Sequence, residues 1–143
     1  MLVVGLGNPY FSDDGLGYRA VRELCRELPT VHLLSPGTDF LRVILRKRKV
    51  AVIDAVKTGE KPGTILVLNL KELKSYPKSS THTFSISDSI SLGYTLYPEE
   101  MPEEIYLFGV EAKDLTTFKR ELSAEVEKAL PELLEQVREF LKG

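Results

Sequence analysis

Short, uninterrupted apolar runs are the feature of this sequence that most restricts its fold. They occupy residues 2–6 (LVVGL) and 50–56 (VAVIDAV), and the only charged residue in either run is Asp54. A strand with one face in water alternates apolar and polar residues, whereas a strand buried on both faces reads as a continuous apolar run. The runs therefore predict a largely parallel sheet with helices on both faces.

The rest of the chain supplies the other elements of such a sheet. Apolar residues at helical spacing predict helices over residues 14–28, 39–46, 84–96 and 123–141, the last kinked or restarted at Pro131. Further strands are expected over residues 31–35, 64–70 and 104–112. The 64–70 strand follows a Lys-Pro-Gly turn, so we expect it to pair antiparallel with its predecessor, at or near an edge. The prediction is an α/β fold: one domain, residues 1–143, forming a three-layer α/β/α sandwich on a mostly parallel sheet of about five strands with one antiparallel strand.

Composition excludes several classes of protein. The formal net charge of −2 gives no overall electrostatic signature of nucleic-acid binding. Cys25 is the single cysteine, which excludes an internal disulfide and a multi-cysteine metal site. We expect Cys25 on the apolar stripe of the first helix. A buried cysteine at that position would not act as a catalytic nucleophile. No apolar stretch approaches the length of a membrane span, so we expect a cytoplasmic protein without membrane or nucleic-acid partners.

Two acidic positions are expected at one edge of the sheet. Asp14 follows the first strand, and Asp54 lies near the end of the strand at 50–56. In parallel sheets, ligands gather beyond the carboxyl ends of the strands. A carboxylate inside an apolar strand costs several kcal/mol unless it is paired, hydrogen-bonded or bound to a metal. Either acid could instead cap a helix or loop; of the adjacent pair, we expect Asp13 to be structural and Asp14 functional.

A histidine is the third candidate ligand, after the two aspartates. His82 is expected in a polar loop just before the helix at 84–96, and such a loop histidine is often only solvated. His32, inside a predicted strand, is expected to be packed rather than functional. Together, Asp14, Asp54 and His82 form a workable ligand set for a first-row divalent metal, with positions left open for an incoming ligand.

The motifs around these residues resemble those of the [NiFe]-hydrogenase maturation endopeptidases. The stretch GLGNPYFSDDGLGYRAV resembles the N-terminal signature of that family, and its second acid falls on Asp14. The family's second metal-contacting carboxylate falls on Asp54 within Ile-Asp-Ala, and its histidine falls on His82. The stretches SPGTDF (35–40) and LFGVEA (107–112) resemble its later motifs. Pro9 departs from the usual Leu or Ile after the Asn.

The resemblance implies a specific activity. Family members remove a C-terminal peptide from the large-subunit precursor of a [NiFe] hydrogenase after nickel insertion. The resemblance implies that Asp14, Asp54 and His82 are the catalytic and metal-contacting residues. Nickel would be supplied by the substrate and act as a recognition element, the site being empty in the isolated protein. We expect that protein to be a monomer.

Three alternatives remain open from the residues. The opening VVGLGNP also resembles bacterial-type peptidyl-tRNA hydrolases, but the chain has Ser-Asp-Asp-Gly where that family carries its catalytic histidine. A module that binds the nickel-loaded precursor without cutting it is a second alternative. A metal-free mechanism in which Asp14 and Asp54 share a proton is a third, although it leaves His82 unused.

Overall fold

The computed structural model describes residues 1–72 and 81–143; for Thr38 and residues 81–85 it describes the backbone alone. Within this range the chain forms a five-stranded sheet in the order β2-β1-β3-β5-β4. The strands are β1 (Leu2–Leu6), β2 (Thr30–Leu33), β3 (Lys49–Val56), β4 (Ile65–Asn69) and β5 (Glu104–Glu111). The helices are α1 (Leu16–Leu24), α2 (Thr38–Ile44), α3 (Thr81–Leu96) and α4 (Ala124–Lys142), with a 3-10 turn at Ser12–Gly15.

Both faces of the sheet are buried, as the continuous apolar runs predict. Alternate residues of β3 point to opposite faces, because side chains alternate along a strand. Ala51 and Ile53 pack in a core with α1 and α4. Val50 and Val52 pack in a second core with α2 and α3. The three-layer α/β/α sandwich is thereby confirmed.

The antiparallel strand has a different partner from the one expected. β4 is antiparallel and lies at the edge of the sheet, as predicted, but it pairs with β5, with Leu66 opposite Gly109. The prediction that it pairs with its predecessor, β3, is wrong. β3 has β1 on one side and β5 on the other, both parallel, so neither edge of β3 is open to β4.

Several helix boundaries differ from the expected ones, by up to four residues at the end of α1, which lies at Leu24 and not at residue 28. α1 begins at Leu16 rather than at Asp14, because the preceding residues form the 3-10 turn. α3 begins at Thr81, before the expected start. α4 runs without interruption through Pro131, so the expected restart does not occur. Pro131 is exposed, which lets water satisfy the carbonyl that its missing N–H leaves without a helical partner.

The position of Cys25 also corrects an expectation. α1 ends at Leu24, so Cys25 is the C-cap residue of that helix and is exposed instead of lying on its apolar stripe. Its thiol contacts the carbonyl oxygen of Arg22 at 3.5 Å. α1 starts after the carboxyl end of β1 and leads back to the start of β2. Cys25 is therefore at the amino edge of the sheet, remote from the carboxyl ends of the strands.

Candidate functional site

The turn after β1 is shaped by glycines. Gly7 has φ +122°, a conformation that side chains disfavour, and a Cβ there would collide with the carbonyl oxygen of Asp14. Gly17 lies against the backbone of Leu6, and Gly5 lies against the carbonyl of Gly17, so a Cβ at either position would also collide. The glycines let α1 approach β1 closely. As a result, the 3-10 turn that carries Asp14 packs directly against the end of β1.

The carboxylate of Asp14 lies against the turn that follows β1. It is half-buried, and its Oδ2 accepts a hydrogen bond of 2.9 Å from the backbone N–H of Asn8. The side chain of Asn8 accepts in turn from the N–H of Tyr10, also at 2.9 Å. The Gly-Asn-Pro-Tyr stretch therefore folds around one oxygen of the Asp14 carboxylate.

Asp13 has the structural role expected of one of the two acids. It is fully buried, and its carboxylate accepts four hydrogen bonds. Two come from the backbone N–H groups of Lys113 and Asp114, at 2.9 and 3.0 Å. Two come from the N–H and the hydroxyl of Ser123, at 2.7 and 2.9 Å. Asp13 therefore fastens the β5–α4 loop to the turn after β1, whereas the N-cap position of α1 belongs to Gly15.

Asp54 lies in the central strand of the sheet. It is fully buried and pairs in register with Gly109 of β5. It follows Ile53, which pairs with Gly5, so it is level with the end of β1. The 3-10 turn that carries Asp14 contacts β3. The two carboxylates predicted to form one site thus belong to adjacent elements at the carboxyl edge of the sheet.

The side chain of His82 lies outside the described residues, so its direction is not part of the structure. Its backbone belongs to the first turn of α3 rather than to a loop. α3 ends at Leu96 and leads to the start of β5, at the amino edge, so its first turn is at the opposite end. By strand alternation Asp54 shares the face of Val52 and Val56, which is the face that α3 covers.

The expectation that His32 is packed agrees with its contacts. Its Nε2 lies 2.7 Å from the carbonyl oxygen of Gly7, and its ring lies edge-on to Tyr18 at 5.2 Å. Among the side chains that the structure describes, no three His, Cys, Asp or Glu groups are close enough to hold a metal ion. A set of three such ligands at this edge would therefore need His82 or a ligand from another molecule.

A third buried carboxylate at this edge was not anticipated from the sequence. Glu111, the last residue of β5, is 3% exposed and accepts hydrogen bonds from the N–H groups of Thr58 and Gly59. It fixes the loop after β3, as Asp13 fixes the loop after β5. The signal available in the sequence was Glu111 itself, an acid near the end of the otherwise apolar stretch LFGVEA.

The β5–α4 loop is stabilised locally as well. Asp114 Oδ1 accepts from the N–H groups of Thr116 and Thr117, at 3.0 and 2.9 Å. Hydrogen bonds from the side chain and backbone of Thr117 lower the pKa of Asp114 to about 2. The loop that borders the candidate site is thus organised by two aspartates, one buried and one partly exposed.

Within the described residues, none of the helices has the length and apolar character required to cross a membrane.

Comparison with known proteins identifies the family. Residues 19–139 match the hydrogenase maturation protease family. The hydrogenase expression/formation protein HupD of Thiocapsa roseopersicina is 30% identical over 150 residues, covering 99% of this chain and 67% of that protein. The hydrogenase maturating endopeptidase HybD of E. coli superposes with a TM-score of 0.81 at 25% identity, over 99% of this chain and 91% of that one.

A second solved structure has the same fold and a comparable identity to this chain. The [NiFe] hydrogenase maturation protease HybD of Thermococcus kodakarensis superposes with a TM-score of 0.77 at 26% identity, over 96% of both chains. These likenesses confirm the resemblance read from the sequence motifs and favour a peptidase over the peptidyl-tRNA hydrolase alternative. The chain belongs to the hydrogenase maturation protease family, a family of peptidases.

Proposed function

We propose that this protein is an endopeptidase that removes a C-terminal peptide from the nickel-loaded large-subunit precursor of a [NiFe] hydrogenase. Nickel is part of the substrate, and Asp14, Asp54 and His82 are the residues that contact it. We further propose that the protein acts as a monomer in the cytoplasm and that its own metal site is empty before the precursor binds.

The observation that carries this proposal is the placement of the two aspartates. Asp14 and Asp54 are 40 residues apart in the chain, yet the turn that carries one contacts the strand that carries the other. Asp13, by contrast, is committed to the β5–α4 loop. Of the two adjacent acids, Asp14 is thus the candidate ligand, because it is half-buried at the ligand-binding edge of an α/β sheet and belongs to the turn that contacts β3.

The donor set explains why nickel would come with the substrate. Two carboxylates and one imidazole, without a thiolate, form a weak site for a free divalent ion. A nickel ion already held by precursor cysteines needs only additional ligands, so affinity for the precursor becomes conditional on the metal. Binding through Asp14, Asp54 and His82 would then fix the position of the scissile peptide.

The reaction is the hydrolysis of one peptide bond. The oxygen of a water molecule bonds to the scissile carbonyl carbon, the C–N bond breaks, and a proton from the water ends on the leaving amine. A metal ion beside the carbonyl oxygen favours this step by polarising the C=O bond. A carboxylate of the Asp14/Asp54 pair can take the proton from the attacking water, because both lie at the same edge.

The experiment compares nickel-loaded and nickel-free precursor, incubated with the purified protein and weighed by mass spectrometry. We expect cleavage of the loaded form without added metal, and none of the nickel-free form. Asp14→Asn and Asp54→Asn should abolish cleavage, whereas Glu139→Gln, at an exposed acid near the end of α4, should leave it unchanged. Comparable cleavage of both precursor forms would favour the metal-free aspartate mechanism. Binding of the loaded form without cleavage would favour the non-cutting module.

A further inference from the structure

We propose that an exposed aromatic patch beside Asp14 docks the precursor segment next to the scissile bond. The patch consists of Tyr10, Phe118 and the guanidinium of Arg120. It fits a large apolar side chain with a carboxylate close by in the same segment. The inference rests on the proposed function and adds a binding determinant to it.

The patch is an unusual surface for a small protein. The side chain of Phe118 is 75% exposed and that of Tyr10 is 48% exposed. Their rings stack with an interplanar angle of 13° and centroids 6.0 Å apart. The ring of Phe11 completes the cluster: it lies edge-on to the ring of Phe118, with the two centroids 5.8 Å apart. Adjoining exposed aromatic rings of this kind are typical of binding surfaces, where they supply large contact area.

The backbone beneath the rings is held by several hydrogen bonds. Phe11 forms a β-bridge with Lys119, and the N–H of Ser12 donates to the carbonyl of Lys119 at 2.7 Å. The Ser12 hydroxyl donates to the carbonyl of Glu121 at 3.0 Å. The buried Asp13 fastens the two ends of the same loop. The rings are therefore presented on an ordered support, so binding to them loses little backbone entropy.

The patch is connected to the candidate site by two successive hydrogen bonds. The N–H of Tyr10 donates to Asn8, and the N–H of Asn8 donates to Asp14. The backbone of Tyr10 therefore lies beside the turn that carries Asp14, within reach of a peptide whose scissile bond is close to Asp14.

Charge selects the kind of peptide. The guanidinium of Arg120 lies 5.2 Å from the centre of the Tyr10 ring, and Lys119 next to it is also exposed. An arginine stacked on a ring keeps its N–H edge available to a carboxylate. Glu121 is exposed on the other side of Arg120, and Lys119 acts electrostatically on the carboxylate of Asp114, so the cationic group of the patch itself is the Arg120 guanidinium. An acidic group of the precursor segment is attracted to this guanidinium, which fixes the position of the segment on the two rings.

The test measures steady-state cleavage of nickel-loaded large-subunit precursor by Tyr10→Ala, Phe118→Ala and Arg120→Gln. Tyr97→Ala is the matched control, because Tyr97 is 43% exposed and follows the end of α3 at the amino edge of the sheet. We expect KM to rise about fivefold or more for the two ring variants, with kcat within about twofold of wild type. Arg120→Gln should raise KM less and weaken its dependence on salt. Tyr97→Ala should behave as wild type.

A binding measurement separates this inference from the proposed function. Dissociation constants for the same precursor are measured in an Asp54→Asn background, with and without the ring variants. A raised Kd without any cleavage by the wild type overturns the proposed endopeptidase activity and supports the docking surface. Normal cleavage with unchanged KM and Kd in both ring variants overturns the docking surface alone. A wild type that neither binds nor cuts the precursor overturns both.

Discussion

Asp13→Asn separates the roles of the two adjacent acids. The Asp13 carboxylate is buried, and its Oδ2 faces three donors while its Oδ1 faces the N–H of Ser123. An asparagine amide offers one oxygen and one NH2 group. In its better orientation the oxygen keeps the three donors, and the NH2 opposes the Ser123 N–H. A buried donor without an acceptor costs about 1–3 kcal/mol.

The remaining hydrogen bonds of this variant are weakened too. Hydrogen bonds to a charged acceptor are roughly twice as strong as neutral ones, and the amide is neutral. We therefore expect Asp13→Asn to lower the free energy of unfolding by about 3 kcal/mol in total. For a chain of 143 residues this corresponds to a fall in Tm of about 10 °C.

The assay is urea unfolding followed by circular dichroism, run beside precursor cleavage. Asp14→Asn is the matched control, since it makes the same chemical change at the next residue. It should unfold within about 1 kcal/mol of wild type and lose cleavage. Asp13→Asn should be the less stable variant but should keep cleavage activity at temperatures where it is folded. A urea midpoint for Asp13→Asn equal to that of wild type would refute the assignment of Asp13 as the fastener of the β5–α4 loop.

Three further variants test other carboxylates. Asp54→Asn should lose cleavage while keeping a Tm equal to or above that of wild type, because it relieves the desolvation of a buried charge; an unfolded variant would instead indicate a structural role. Glu111→Gln should lower the free energy of unfolding by about 2 kcal/mol and speed hydrogen exchange at the Thr58 N–H, which donates to Glu111. The pKa of Asp114 is lowered from 3.8 to about 2, so its carboxylate should stabilise the loop fully above pH 3.8 and lose that effect as the pH falls through 2. Exchange at the Thr117 N–H should therefore differ between wild type and Asp114→Asn at pH 5 and converge near pH 2; a constant difference would contradict the assignment.

The elements of the fold could be predicted from the sequence because their signals are local. Continuous apolar runs and helical spacing are properties of neighbouring residues, and they located the strands and helices to within a few residues. The partner of β4 is not a local property. It depends on which strand edges are already occupied, and β5, which occupies the edge of β3, comes about 50 residues after it.

The candidate site shows the same division. Asp14 and Asp54 could be assigned to one edge, because strand ends follow from strand positions. The groups that donate hydrogen bonds to Asp13 and Glu111 could not be predicted, because they belong to loops that are distant in the sequence. Cys25 was misplaced because α1 ends at Leu24, four residues before its expected end, so that Cys25 caps the helix and does not continue its apolar stripe. The placement of His82 as a metal ligand stays a prediction.

The bond between Asp13 and Ser123 has a consequence for biosynthesis. Its partners are 110 residues apart, so the turn that carries Asp14 is translated long before the residue that fastens it. Contacts of such long range form late, since their loop-closure entropy is lost before they contribute stability. A nascent chain that has not yet reached Ser123 lacks the second half of this fastening. The turn that carries Asp14 is therefore made early but stabilised late, after the β5–α4 loop has been translated.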